Sequence, residues 1–130
     1  MEAVQKKNQL ENQLILTGNV SNVSEYMQKA SIYVMTSRSE GLPMVLLEAA
    51  QNELPMVSFD IQTGPSEIIE DGKNGFLIPP FSLDKMREKI EYLIQHDEVR
   101  KMFSKNTQYI QERFDVYQII MQWENLLDQL

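Results

Sequence analysis

The run Ile32-Tyr33-Val34-Met35-Thr36 constrains this chain more than any other feature, because it carries no polar alternation. A strand with one wet face alternates. A strand apolar on both sides belongs to a parallel sheet covered by helices. Similar short runs recur along the chain, each bounded by turn residues. Leu14-Ile15-Leu16-Thr17 is closed by Gly18-Asn19, Met56-Val57-Ser58-Phe59 follows Pro55, and Phe76-Leu77-Ile78 is stopped by Pro79-Pro80. These predict four strands.

Helical segments lie between them. Ser21 to Ala30 carries Val23, Tyr26, Met27 and Ala30 at helical spacing, with Asn22 or Ser24 as the cap. Pro43 to Asn52 reads as a very apolar helix with proline at its first position. Gly64-Pro65 opens a short helix that Asp71-Gly72 ends. From Ser82 the period is purely helical, with Leu83, Met86, Ile90, Leu93 and Ile94 on one face and Ser82 as cap. A second helix is expected over about Asp97–Glu112 and a third from Asp115 onward. The alternation predicts an α/β doubly wound domain: a partial Rossmann-like parallel sheet of about four strands, flanked by helices, with a helical C-terminal extension.

At 130 residues there is room for one core, so residues 1–130 read as a single domain. Twelve cations against nineteen carboxylates leave a net charge of −7, which argues against nucleic acid as a partner. Without cysteine there is no disulfide scaffold, thiolate metal site or cysteine nucleophile. With His96 as the one histidine, a His-rich metal site is excluded too. No run approaches the ~20 apolar residues that span a bilayer, and the polar segment Met1–Asn12 is no secretory signal. These features give the expectation of a cytoplasmic domain.

Open α/β sheets bind ligands at the carboxyl ends of their strands, near helix N-termini. The segment after Thr36 is therefore the place to look. Gly41 there delivers the backbone to the start of a helix whose free N–H groups and dipole suit an anion such as phosphate. Glu48 stands among Leu46, Leu47, Ala49 and Ala50. As a buried carboxylate it would need donors, which a pair of ribose hydroxyls supplies; alternatively Glu48, Gln51 and Asn52 form a narrow solvated stripe. Glu40 on its own reads equally as a solvated loop carboxylate.

Two glutamates separated by seven residues, Glu40-Gly41-Leu42-Pro43-Met44-Val45-Leu46-Leu47-Glu48, resemble the signature of glycosyltransferase family 4, a GT-B family. Leu16-Thr17-Gly18-Asn19-Val20, Ala30 to Ser37, Leu54-Pro55-Met56-Val57, Gly64 to Ile69 and Asp71 to Leu77 follow in the family order. The likeness covers about Glu11 to the C-terminus and is most similar to bacterial surface-polysaccharide transferases.

The resemblance implies half of a GT-B donor lobe that binds a nucleotide-sugar, a UDP-hexose or UDP-N-acetylhexosamine. Glu40 is then the catalytic position, accepting hydrogen bonds from the donor sugar, with no nucleophile role assigned. Gly41, Leu42 and Pro43 present backbone to the sugar, the Met44 and Val45 amides hold the diphosphate, and Glu48 holds the ribose hydroxyls. Gly18, Asn19 and Val20 lie beside the base. The implied reaction is hexosyl transfer with retention, with no cofactor and no required metal. The glycan or lipid-linked acceptor belongs to an N-terminal lobe outside this chain, at the cytoplasm or the inner face of the membrane. The fragment is then inactive alone.

The family usually carries Gly where Glu53 stands and often a second Gly where Thr63 stands, which predicts local strain or a changed backbone at Thr63. Arg38 and Lys73 are expected as the cations nearest the site. The strand at Leu14–Thr17 lacks its family partner, and Val116, Ile119, Ile120, Trp123, Leu126 and Leu127 form a stripe that the absent lobe would cover. A homodimer is the corresponding expectation. Two other readings compete. A receiver or flavodoxin-like module needs an acidic cluster after its first strand, and Leu14 to Gly18 has none. A non-catalytic interaction domain would keep the fold without the ligand. Trp123 and the eight methionines read as packing residues, and His96 as a surface loop residue.

Overall fold

A computed structural model describes residues 1–129. The elements run α1 (Glu2–Lys7), α2 (Val23–Lys29), β1 (Tyr33–Met35), α3 (Met44–Gln51), β2 (Met56–Phe59), α4 (Pro65–Ile68), β3 (Gly75–Ile78), α5 (Leu83–Gln95), α6 (Asp97–Asn106), α7 (Gln108–Arg113) and α8 (Val116–Leu127). The strands form one parallel sheet in the order β1-β2-β3. Register runs Tyr33 to Met56 to Gly75 at the amino edge.

β2 is buried at every position, as the central strand of a doubly covered sheet must be. Its alternation divides the core. Met56 faces a cluster with Leu46, Ala49, Ala50, Ile68 and Ile110; Val57 and Phe59 face Ile78, Met86, Leu93 and Phe103. Full burial of side chains such as Leu93 and Phe103 contributes roughly 1.5–3 kcal/mol each. Gly75 allows β3 to approach β2, since a Cβ there would lie 2.2 Å from the Met56 carbonyl oxygen.

Three expectations change. First, Leu14–Thr17 is not a strand; among the described residues the sheet has three strands, not about four. A parallel strand is stabilised by the ladder beside it, and no strand lies alongside this segment, so Ile15 stands 79% exposed. Second, the helix expected over Asp97–Glu112 divides into α6 and α7 at Thr107. Thr107 is buried, and its hydroxyl donates to the Ser104 carbonyl at 2.8 Å, a back-bond that bends a helix. Third, α1 forms in a segment whose sequence showed only polarity.

Caps also differ from expectation. Ser82 and Asn22 occupy N-cap positions without a capping side-chain bond, and the Ser24 hydroxyl instead donates to Asn52 Oδ1 at 3.1 Å. Asp115 does cap α8, accepting from the Tyr117 and Gln118 amides at 3.0 and 3.2 Å. No residue of α8 is buried, and Trp123 is 61% exposed. The apolar stripe is therefore wet, and among the described residues Trp123 joins neither core cluster. His96 lies between α5 and α6, its ring stacked on Tyr92 with centroids 4.1 Å apart.

Candidate functional site

β1 ends at Met35 and β2 at Phe59, so the loops that follow both emerge from the carboxyl edge of the sheet. The first loop carries Glu40 and enters α3. Pro43 takes the N-cap position rather than the first helical one, which makes Met44 the first helical residue. The Met44 and Val45 amides are among those an α-helix leaves without intrahelical acceptors. Glu40, Gly41, Leu42, Pro43, Met44, Val45 and Glu48 thus form one continuous loop–helix unit.

α3 buries Leu46, Ala49 and Ala50 and exposes Val45 and Glu48, one turn apart on the other face. The buried reading of Glu48 does not hold. Its carboxylate is exposed, whereas Glu40 is half-buried. The helix stops in a Schellman motif: the Glu53 amide donates to the Ala50 carbonyl and the Leu54 amide to the Ala49 carbonyl, each at 3.0 Å. Glu53 sits at φ 56°, the left-handed position that glycine favours.

The loop after β2 holds the Glu40 loop in place. The Thr63 hydroxyl donates to the Glu40 carbonyl oxygen at 2.6 Å. Gly64, at φ 100°, comes so close that a Cβ would lie 2.4 Å from the Gly41 oxygen and 2.6 Å from Pro43 Cδ. Thr63 itself is not among the residues of positive φ, so the strain expected there falls on Glu53 instead.

Tyr33, at the amino end of β1, is half-buried. Its phenol is held above the usual tyrosine pKa by burial, and then by the charges of Glu48 and Glu40. It therefore sits within the field of both glutamates. A feature that sequence reasoning missed is a cavity of about 500 Å³ lined by Thr36, Arg38, Phe59, Phe81 and Leu83. Phe81 is held at φ 63°, with its ring centroid 5.8 Å from that of Phe59.

Other expected members make no hydrogen bond to the Glu40–Glu48 unit among the described residues. Gly18 makes a turn at φ 64° in the unpaired segment; among the described residues no hydrogen bond joins Gly18, Asn19 or Val20 to residues 40–48. Lys73 precedes β3 at the amino edge of the sheet and pairs with Glu70, so it is not near the site. Arg38 is exposed beside it. Among the described residues there is no cluster of three or more His, Asp or Glu side chains suited to a metal ion.

Comparison with known proteins gives concordant matches. The family model for glycosyl transferases group 1 matches residues 1–109. An amylovoran biosynthesis glycosyltransferase, AmsD of Erwinia amylovora, is 33% identical over 123 residues, covering 95% of this chain and 34% of its own length. A poly(ribitol-phosphate) alpha-N-acetylglucosaminyltransferase of Staphylococcus aureus is 34% identical over 126 residues, covering 96% of this chain and 25% of its own. This chain thus spans about a quarter to a third of the length of these curated relatives. Among solved structures, Anabaena HepE in complex with UDP superposes with a TM-score of 0.91 at 27% identity, covering 99% of this chain and 36% of that one. An S. aureus TarM mutant in complex with Fondaparinux, alpha-GlcNAc-glycerol and UDP gives 0.88 at 32% identity, covering 96% and 26%.

Proposed function

The chain belongs to the glycosyl transferases group 1 family, and on that premise we propose that it forms the donor-binding half of a retaining hexosyltransferase that uses a UDP-sugar in bacterial polysaccharide biosynthesis. The observation that carries this reading is the unit formed by Glu40, the α3 N-terminus and Glu48 at the carboxyl edge of the sheet. In it a half-buried carboxylate, two free amides and an exposed carboxylate follow one another over nine residues. That order matches a donor's chemistry: sugar hydroxyls at Glu40, with Gly41, Leu42 and Pro43 offering backbone, diphosphate at the Met44 and Val45 amides, and ribose hydroxyls at Glu48.

The helix N-terminus supplies the positive end that an anionic ligand needs in a chain of net charge −7. Gly18, Asn19 and Val20 flank the base once the segment that carries them is paired. Several of the similar structures support a nucleotide-sugar: HepE occurs with UDP and with UDP-glucose, and pneumococcal GtfA with UDP and GlcNAc. Chemistry proceeds without a metal cofactor. The acceptor, a glycan or lipid-linked molecule, is held by a further lobe at the cytoplasm or the inner membrane face, and the 130 residues alone do not transfer sugar. The uncovered stripe on α8 favours a packing partner, either that lobe or a second copy of this chain.

Calorimetric titration with UDP, UDP-glucose and UDP-N-acetylglucosamine tests the reading. Loss of charged hydrogen bonds, worth about 1.5–3 kcal/mol, predicts a drop in affinity of roughly 10- to 100-fold for Glu48→Ala with all three ligands. Equal affinity of wild type and variant would refute the ribose role.

A further inference from the structure

We propose that Thr63 is a positioning residue for Glu40, an inference that rests on the donor-site reading above. The loop between β1 and α3 has little else to hold it. Among the described residues, the bond from the Thr63 hydroxyl to the Glu40 carbonyl, at 2.6 Å, is the one hydrogen bond that engages residues 37–42. The neighbouring Gly64 packs against the Gly41 oxygen and the Pro43 ring. Together these two residues close a clasp between two loops that leave adjacent strands. Gly64 fixes how near the loops come, and Thr63 fixes the orientation of the peptide group that follows Glu40.

That orientation decides function. The Glu40–Gly41 peptide sets the direction from which the Glu40 side chain leaves the backbone. A carboxylate that accepts from sugar hydroxyls is useful only within a narrow range of distance and angle. The clasp acts on the sugar end of the site. The helix amides and Glu48 are held by α3, whose buried Leu46, Ala49 and Ala50 fix it independently of Thr63. Thr63 therefore acts on recognition of the sugar and not of the nucleotide.

The test uses Thr63→Val, which keeps the shape and removes the hydroxyl, and Thr63→Ser, which keeps the hydroxyl. In the ligand-free chain, the carbonyl-carbon chemical shift of Glu40 moves in Thr63→Val and is retained in Thr63→Ser. With ligand, Thr63→Val lowers affinity for UDP-glucose about 3- to 10-fold, the effect of one lost hydrogen bond, and leaves affinity for UDP unchanged; Thr63→Ser binds both as the wild type does. An unmoved Glu40 carbonyl shift in Thr63→Val, or equal loss for UDP and UDP-glucose, overturns the positioning role. If wild type binds both nucleotides and Thr63→Val is indistinguishable from it, this inference alone fails. If wild type binds neither at millimolar nucleotide, the donor-site reading fails and takes this inference with it.

Discussion

Replacing Glu53 by glycine should stabilise the protein, and the structure sets the size of the effect. Glu53 stands at φ 56° in the C′ position of the motif that ends α3, with its amide bonded to Ala50 and the next amide to Ala49. A non-glycine residue in the left-handed region is disfavoured by roughly 1–2 kcal/mol. Glycine removes that term but loses about 0.5–1 kcal/mol more backbone entropy on folding. The Glu53 side chain is exposed and takes part in no hydrogen bond or ion pair among the described residues, so little else is lost. The net expectation for Glu53→Gly is a gain of about 0.5–1 kcal/mol, or roughly 2–5 °C in Tm for a chain of this size. Urea unfolding followed by circular dichroism measures it, with Glu53→Ala as the control that keeps the strained backbone. A Glu53→Gly midpoint at or below wild type would refute the argument from backbone strain.

Two further outcomes follow from the same geometry. Gly64→Ala should destabilise the chain by roughly 2–4 kcal/mol, because a Cβ there meets backbone at 2.4 Å in a φ region closed to other residues; unfolding by urea should show it, alongside shifts of the Gly41 and Thr63 amide signals. Ultraviolet titration of the tyrosines should find Tyr33 ionising at higher pH than in an unfolded chain. Its folded pKa is raised, so its contribution is complete below the ordinary value of 10.0 and is lost as pH rises through the folded value. Glu48→Gln should bring the Tyr33 transition down part of the way, since burial is the larger cause.

Much of this was legible in the sequence, for reasons that differ by element. β1, β2 and β3 were readable because a fully covered strand needs an apolar run, and the turn residues around each run mark its ends. The Glu40-to-Glu48 unit was readable from its fixed spacing across a loop and the first turns of a helix. Leu14–Thr17 misled because an apolar run is necessary for a strand but pairing is what stabilises one, and pairing is not a local property. The break at Thr107 was hidden because the period of apolar residues continues through it, whereas the back-bond of its buried hydroxyl does not show in the pattern. Glu48 reads two ways from sequence because apolar residues surround it in the chain; the structure takes the solvated reading, with Leu46, Ala49 and Ala50 on the opposite face of α3. Thr63 and Gly64 lie more than twenty residues from Glu40, and only the sheet brings the loops together.

The central claim is that one nucleotide-sugar site runs along the carboxyl edge of the sheet from Glu40 to Glu48. Amide chemical-shift mapping of this chain during a UDP-glucose titration tests it most directly. The account predicts saturable shifts concentrated at Glu40–Glu48 and at Gly18–Val20, greatly reduced in Glu48→Ala. Shifts confined to other surfaces, or none at millimolar UDP-glucose, would contradict it.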